Sequence, residues 1–86
     1  PQEITVRGFT ITGSTVFSQA QMVQAIEAKI GKIPPEGKRI SLNQLFEART
    51  AITELYTQND YITSGAFIPL QKLQDGQVEI RVVEGS

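Results

Sequence analysis

Ala66-Phe67-Ile68-Pro69-Leu70-Gln71-Lys72-Leu73-Gln74-Asp75-Gly76-Gln77-Val78-Glu79-Ile80-Arg81-Val82-Val83 has the residue pattern of a β-hairpin. Val78, Ile80 and Val82 alternate with Gln77, Glu79 and Arg81, and this period of two places apolar side chains on one face of a strand. Asp75-Gly76, just ahead, is a two-residue turn signal, since both residue types tolerate the positive φ such turns demand. Across the turn, Pro69 has no N–H to give to a ladder, so segment 66–71 belongs on the edge of a sheet. The clean alternation of 77–83 suits the centre of that sheet, with one face covered by helices. An edge keeps a row of main-chain groups open, and another chain can pair with it by strand addition.

Upstream, two helix starts share one grammar. In Phe17-Ser18-Gln19-Ala20-Gln21-Met22, Ser18 is an N-cap with Gln21 three residues on, and Phe17 and Met22 flank this capping box as a hydrophobic staple. Met22, Val23, Ile26 and Ile30 follow at helical spacing, and Gly31 is the stop. Ile40-Ser41-Leu42-Asn43-Gln44-Leu45 repeats the signal. Leu42, Leu45, Ile52, Leu55 and Tyr56 continue a stripe to about Gln58, with Phe46 on its edge. Between the helices, the two prolines and two glycines of 31–40 predict a loop. At the start of the chain, Ile4 and Val6 alternate on one phase, Phe9 and Ile11 on the other, with the switch at Arg7-Gly8. That pattern predicts one bulged strand over 3–12.

The element order is therefore strand, helix, helix, strand, strand. Two helices joined by a loop run antiparallel, which lets the last strand lie parallel beside the first. The expectation is an α+β fold: a β-α-α-β-β chain, with a three-stranded mixed sheet and two antiparallel helices packed on one face. At 86 residues it is read as one domain over 1–86. Opening at Pro1, it is expected to be a processed or excised piece.

Composition narrows the chemistry. Hydrophobic residues make up 40% and charged residues 20%, the balance of a globular domain, and the formal charge of −1 offers no bulk attraction to nucleic acid or anionic lipid. No apolar run approaches the roughly 20 residues of a membrane helix. Without cysteine or histidine, the chain lacks thiolate nucleophiles, the usual transition-metal ligands and the usual acid–base residue near neutral pH. Its carboxylates are scattered, and Gly37-Lys38-Arg39 lacks the rest of a phosphate loop. No catalytic residue, cofactor or metal site is expected. Lys29, Lys32, Lys38 and Arg39 gather near the interhelix loop, and Arg49 lies toward the apolar stripe of the second helix. The first group reads as a solvated loop, and Arg49 as a side chain whose stem covers core.

Several separated pieces together resemble one family. Ile52-Thr53-Glu54-Leu55-Tyr56, Tyr61-Ile62-Thr63-Ser64, Ile68-Pro69-x-Gln71, Asp75-Gly76 and Val78-x-Ile80-x-Val82-Val83-Glu84-Gly85 are similar to a POTRA (polypeptide-transport-associated) domain. The subtype is that of two-partner secretion transporters, and Phe9-x-Ile11-x-Gly13-Ser14-Thr15-Val16-Phe17 fits its first strand and turn. The resemblance implies a periplasmic module at the bacterial outer membrane, preceding a β-barrel, that recognises unfolded secreted or outer-membrane polypeptide. Expected partners are such a client chain, neighbouring POTRA domains and the barrel. The resemblance places binding in the groove between the second helix and the second strand. Carried over, that is Ala66, Phe67, Ile68, Leu70 and Gln71 on the strand, with Gln44, Glu47, Ala48 and Ala51 on the helix. The sequence departs from the family at Asp60, where the family has Gly, so Asn59 is expected to shape the helix end. Two other readings compete: a structural spacer between modules and barrel, and a KH-like nucleic-acid module, which lacks its Gly-x-x-Gly clamp here.

Overall fold

A computed structural model describes residues 2–85. Its strands are β1 (Glu3–Val6), β2 (Gly8–Thr12), β3 (Lys38–Ser41), β4 (Gly65–Phe67) and β5 (Gln77–Val83), and its helices are α1 (Gln19–Ile30) and α2 (Leu42–Gln58). β5 lies in the centre of a three-stranded mixed sheet, parallel to β2 and antiparallel to β4. The registers Phe9↔Val78 and Ile11↔Ile80 align the inward side chains of β2 and β5. Against them pack Met22, Ile26 and Ile30 of α1 and Ala48, Ala51, Ile52 and Tyr56 of α2, all buried. Burying each Ile in this cluster stabilises the fold by about 1.5–3 kcal/mol. The expected α+β arrangement is therefore present.

Both helix starts form as the sequence specifies. The Ser18 hydroxyl accepts from the Gln21 N–H at 3.1 Å, and the Gln21 side chain accepts from the Ser18 N–H at 2.8 Å. Ser41 and Gln44 repeat the exchange at 3.2 and 2.9 Å. Each box satisfies two of the amide donors that a helix start leaves orphaned.

Three expectations need correction. The extended run 3–12 is two strands in two sheets. At Arg7 the chain bends because the Arg7 N–H donates to the Gly76 carbonyl at 2.8 Å, and β1 turns away to pair with β3. That pairing puts a strand inside the expected loop. The prolines and glycines end at Gly37, whereas Lys38, Arg39, Ile40 and Ser41 keep their N–H groups and pair antiparallel with Val6, Thr5, Ile4 and Glu3. Segment 61–71 is mostly not strand. Residues 62–63 turn, with the Ser64 N–H on the Tyr61 carbonyl, and pairing covers only Gly65–Phe67 before Pro69 interrupts it.

The end of α2 also differs. Tyr61 N–H reaches back to the Tyr56 carbonyl at 2.9 Å and Asp60 N–H to the Thr57 carbonyl at 3.1 Å, the paired closure of a Schellman end. The residue that turns left-handed is Asp60, at φ 70°, not Asn59, at φ −110°. Asn59 instead caps through its side chain, donating to the Leu55 carbonyl at 2.7 Å.

One polar knot ties this end of the molecule together. The buried Tyr56 hydroxyl donates to Glu84 Oε2 at 2.6 Å and lies 2.6 Å from Ser14 Oγ. Glu84 also accepts from the Thr15 N–H and hydroxyl, at 2.8 and 2.6 Å. Those donors, Thr15 first and Tyr56 next, hold the Glu84 carboxyl down at about 2. Burial, reinforced by the bond to Glu84, pushes the Tyr56 hydroxyl up to about 12. Beside the knot, Gly85 rests on Thr63: a Cβ there would lie 2.7 Å from the Thr63 carbonyl oxygen. The Gly85 N–H donates to the buried Ser64 hydroxyl at 3.0 Å. Thr63-Ser64 and Glu84-Gly85, far apart in sequence, are thus one contact.

Two outcomes follow from these ends. Asp60→Gly removes a left-handed side chain and raises stability by about 0.5–1 kcal/mol in urea unfolding. Because the folded pKa of Glu84 lies below its ordinary value of 4.5, its stabilisation is complete above that pH and is lost as pH falls towards about 2. Acid-unfolding curves of wild type and Glu84→Gln should therefore converge as pH drops through that window.

Candidate functional site: an open sheet edge and its groove

The edge strand is short because of one residue. In β4, Gly65 pairs with Val83, Ala66 with Val82 and Phe67 with Arg81. Two residues further, Pro69 has no N–H to continue the ladder. The flank of β5 beyond Arg81 would then be bare, but the side chain of Gln71 fills it. Its Oε1 accepts from the Glu79 N–H at 2.7 Å, and its Nε2 donates to the Glu79 carbonyl at 2.9 Å and to the Pro69 carbonyl at 3.1 Å. A carboxamide thus makes both bonds that a strand residue would make. The Gln77 N–H goes to the Gln74 carbonyl across the Asp75-Gly76 turn, where both residues have positive φ. With that, the outer flank of β5 is satisfied from end to end.

The segment 68–73 bows away from the sheet, and a groove of about 470 Å³ opens between it and the start of α2. Its walls are Ile68, Pro69, Leu70 and Leu73 on one side and Leu45 and Ile4 on the other, with Val78 below. A second hollow of about 410 Å³ shares Ile4 and Leu45 and runs on past Ile40 and Leu42. The two adjoin at Ile4 and Leu45, and the first of them, an apolar trough, opens at Ile68, just past the end of β4. Leu70 is fully exposed at its rim, and Leu42 is 60% exposed. Leu42, Leu45, Phe46 and Arg49 share a face of α2, and the Arg49 guanidinium stacks over the Phe46 ring at 5.0 Å. Leu42 and Phe46, read from sequence as part of the core stripe and its edge, point outward here.

The residues singled out from sequence divide accordingly. Ile68 and Leu70 line the trough, Ala66 is half-buried on β4 with Phe67 exposed beside it, and Gln71 borders the trough with its side chain committed to β5. On α2, Gln44 is held in the capping box and Glu47 is exposed. Ala48 and Ala51 are 0% and 4% exposed, so they present no surface, and Leu45 forms the helix wall instead.

Some of the charged groups are engaged elsewhere. Lys29 pairs with Glu54 at 2.7 Å and Arg39 with Glu3 at 3.2 Å, so half of the basic cluster near the interhelix loop is neutralised. Arg81 pairs with Glu79 at 3.2 Å on the open face of the sheet. Among the described residues, no helix is long and apolar enough to cross a membrane.

Mixed sheet, two helices on one face and an apolar trough at the free edge define a small α+β module that presents a sheet edge. The chain belongs to the POTRA domain family of ShlB type, whose model matches residues 4–85. It is 34% identical over 50 residues to the heme/hemopexin transporter protein HuxB of Haemophilus influenzae, a match covering 58% of this chain and 9% of HuxB. Among solved structures it resembles CdiB from Escherichia coli, with a TM-score of 0.81 and 26% identity over 99% of this chain and 15% of CdiB. The chain thus spans a small part of the length of both.

The carboxamide closure of β5 is directly testable. Gln71→Ala leaves the Glu79 N–H and carbonyl without partners and should lower stability by about 1–3 kcal/mol. Amide hydrogen exchange should show the Glu79 N–H losing protection while Ile80 keeps it.

Proposed function

We propose that this chain is the periplasmic polypeptide-binding module of an outer-membrane β-barrel protein transporter, and that it holds unfolded secreted or outer-membrane client chains by strand addition along 66–70. The observation that carries this reading is that β4 is paired on one flank only, beside an apolar trough. Main-chain bonds to an edge are indifferent to sequence, and alternate apolar side chains of an extended client would drop into the trough. Membership of the POTRA family supports a role in polypeptide transport, and HuxB, by its name, is a transporter. The module acts by binding and not by catalysis. Its complexes are weak and transient, because ordering an unfolded client opposes association.

A structural docking role has one observation of its own. Ile62 and Val83 are 77% and 59% exposed and flank the Thr63–Gly85 contact, at the end of the molecule away from the trough. In the docking reading, this patch would meet a neighbouring module.

Titration with a synthetic peptide of roughly ten residues, alternating valine and threonine with lysine at both ends, separates the two. Strand addition predicts amide shifts at Ala66, Ile68 and Leu70. Shifts confined to other surfaces, with 66–70 silent, would sink it.

A further inference from the structure

The edge of β4 is not wholly open. Residues of an antiparallel strand alternate, one turning both main-chain groups to its neighbour and the next turning both away. Ala66 is of the second kind, because its N–H donates to Thr53 Oγ1 of α2 at 3.0 Å. This first outward donor of the edge is therefore already engaged from within the chain. Ile68 and Leu70 follow just past the end of β4, and among the described residues their main-chain groups have no partner. An arriving strand finds free groups at Ile68 and Leu70 and an occupied one at Ala66.

We propose that Thr53 is a specificity-determining residue for strand addition: its hydroxyl competes with a partner's carbonyl for the Ala66 N–H, and so limits how far and how tightly an extended polypeptide pairs along β4. This rests on the strand-addition reading and sharpens it. Pairing begins at Ile68 and Leu70, over the trough. It reaches β4 only when a partner carbonyl displaces Thr53 Oγ1, which then turns to water. Threonine suits this role because its acceptor sits on a stiff, β-branched stem fixed to a helix. It protects the edge against chance pairing without closing it to a chain whose side chains also fill the trough.

The test compares the valine–threonine peptide on wild type, Thr53→Val and Thr53→Ser. Valine keeps the shape and removes the acceptor, while serine keeps an acceptor. Loss of one neutral hydrogen-bond competitor predicts about three- to tenfold tighter binding to Thr53→Val, and about wild-type binding to Thr53→Ser. The Ala66 amide should shift more strongly in the valine variant than in wild type. Equal or weaker binding by Thr53→Val, with Ile68 and Leu70 still responding in wild type, overturns the role of Thr53 alone. Silence of 66–70 in wild type overturns strand addition itself, and the role of Thr53 with it. Thermal unfolding checks that each variant folds, and Thr53→Ala, which also lacks the acceptor, carries the same comparison should valine fail to fold.

Discussion

Pro69 cannot donate a main-chain hydrogen bond, and the architecture of the edge follows from that single missing donor. β4 ends at Phe67, the chain bows out over 68–73, and the trough between Leu70 and Leu45 opens beneath it. Without a replacement, the Glu79 main chain would be left unpaired on the outer flank of β5. Gln71 supplies that replacement with a side chain, so that Glu79 is bonded on that flank while the main-chain groups of Ile68 and Leu70 stay free. A stable centre and an open rim are thereby separated within three residues.

The same division of labour appears in the polar residues. Ser18, Ser41, Gln21 and Gln44 close helix starts, Glu84 gathers Thr15 and Tyr56, and Ser64 takes the Gly85 N–H. The acidic residues Glu3, Glu54 and Glu79 face basic partners. Several large apolar side chains nevertheless stay exposed, among them Leu42, Leu70, Ile62 and Val83. In a domain with so small a core, such residues mark contact surfaces better than charge does.

Sequence carried the helices, the hairpin turn and the edge because each depends on neighbours in the chain. Ser18 needs only Gln21, and Pro69 needs no partner to be unable to donate. It missed what depends on distant residues. β3 is invisible among prolines until β1 supplies its partner, and the burial of Ala48 and Ala51, expected in the groove, depends on how helix α2 sits against the sheet. Arg7 reads as a bulge until Gly76 is found opposite it. Thr53 and Gln71, which shape the edge most, stood inside the family-like segments with no local sign of their bonds to Ala66 and Glu79. Asp60 departs from the family pattern, yet the left-handed turn lies at that position and is borne by a less suitable side chain.

The parallel pairing of β2 with β5 has a mechanical consequence. Gly8 lies opposite Gln77 and Thr12 opposite Arg81, so the start of one strand and the finish of the other sit at opposite ends of the ribbon. Tension drawing those two points apart shears the ladder, straining its bonds together instead of breaking them one by one as in peeling. A module strung between parts that tug on it would hold its shape under loads that would unzip an antiparallel hairpin.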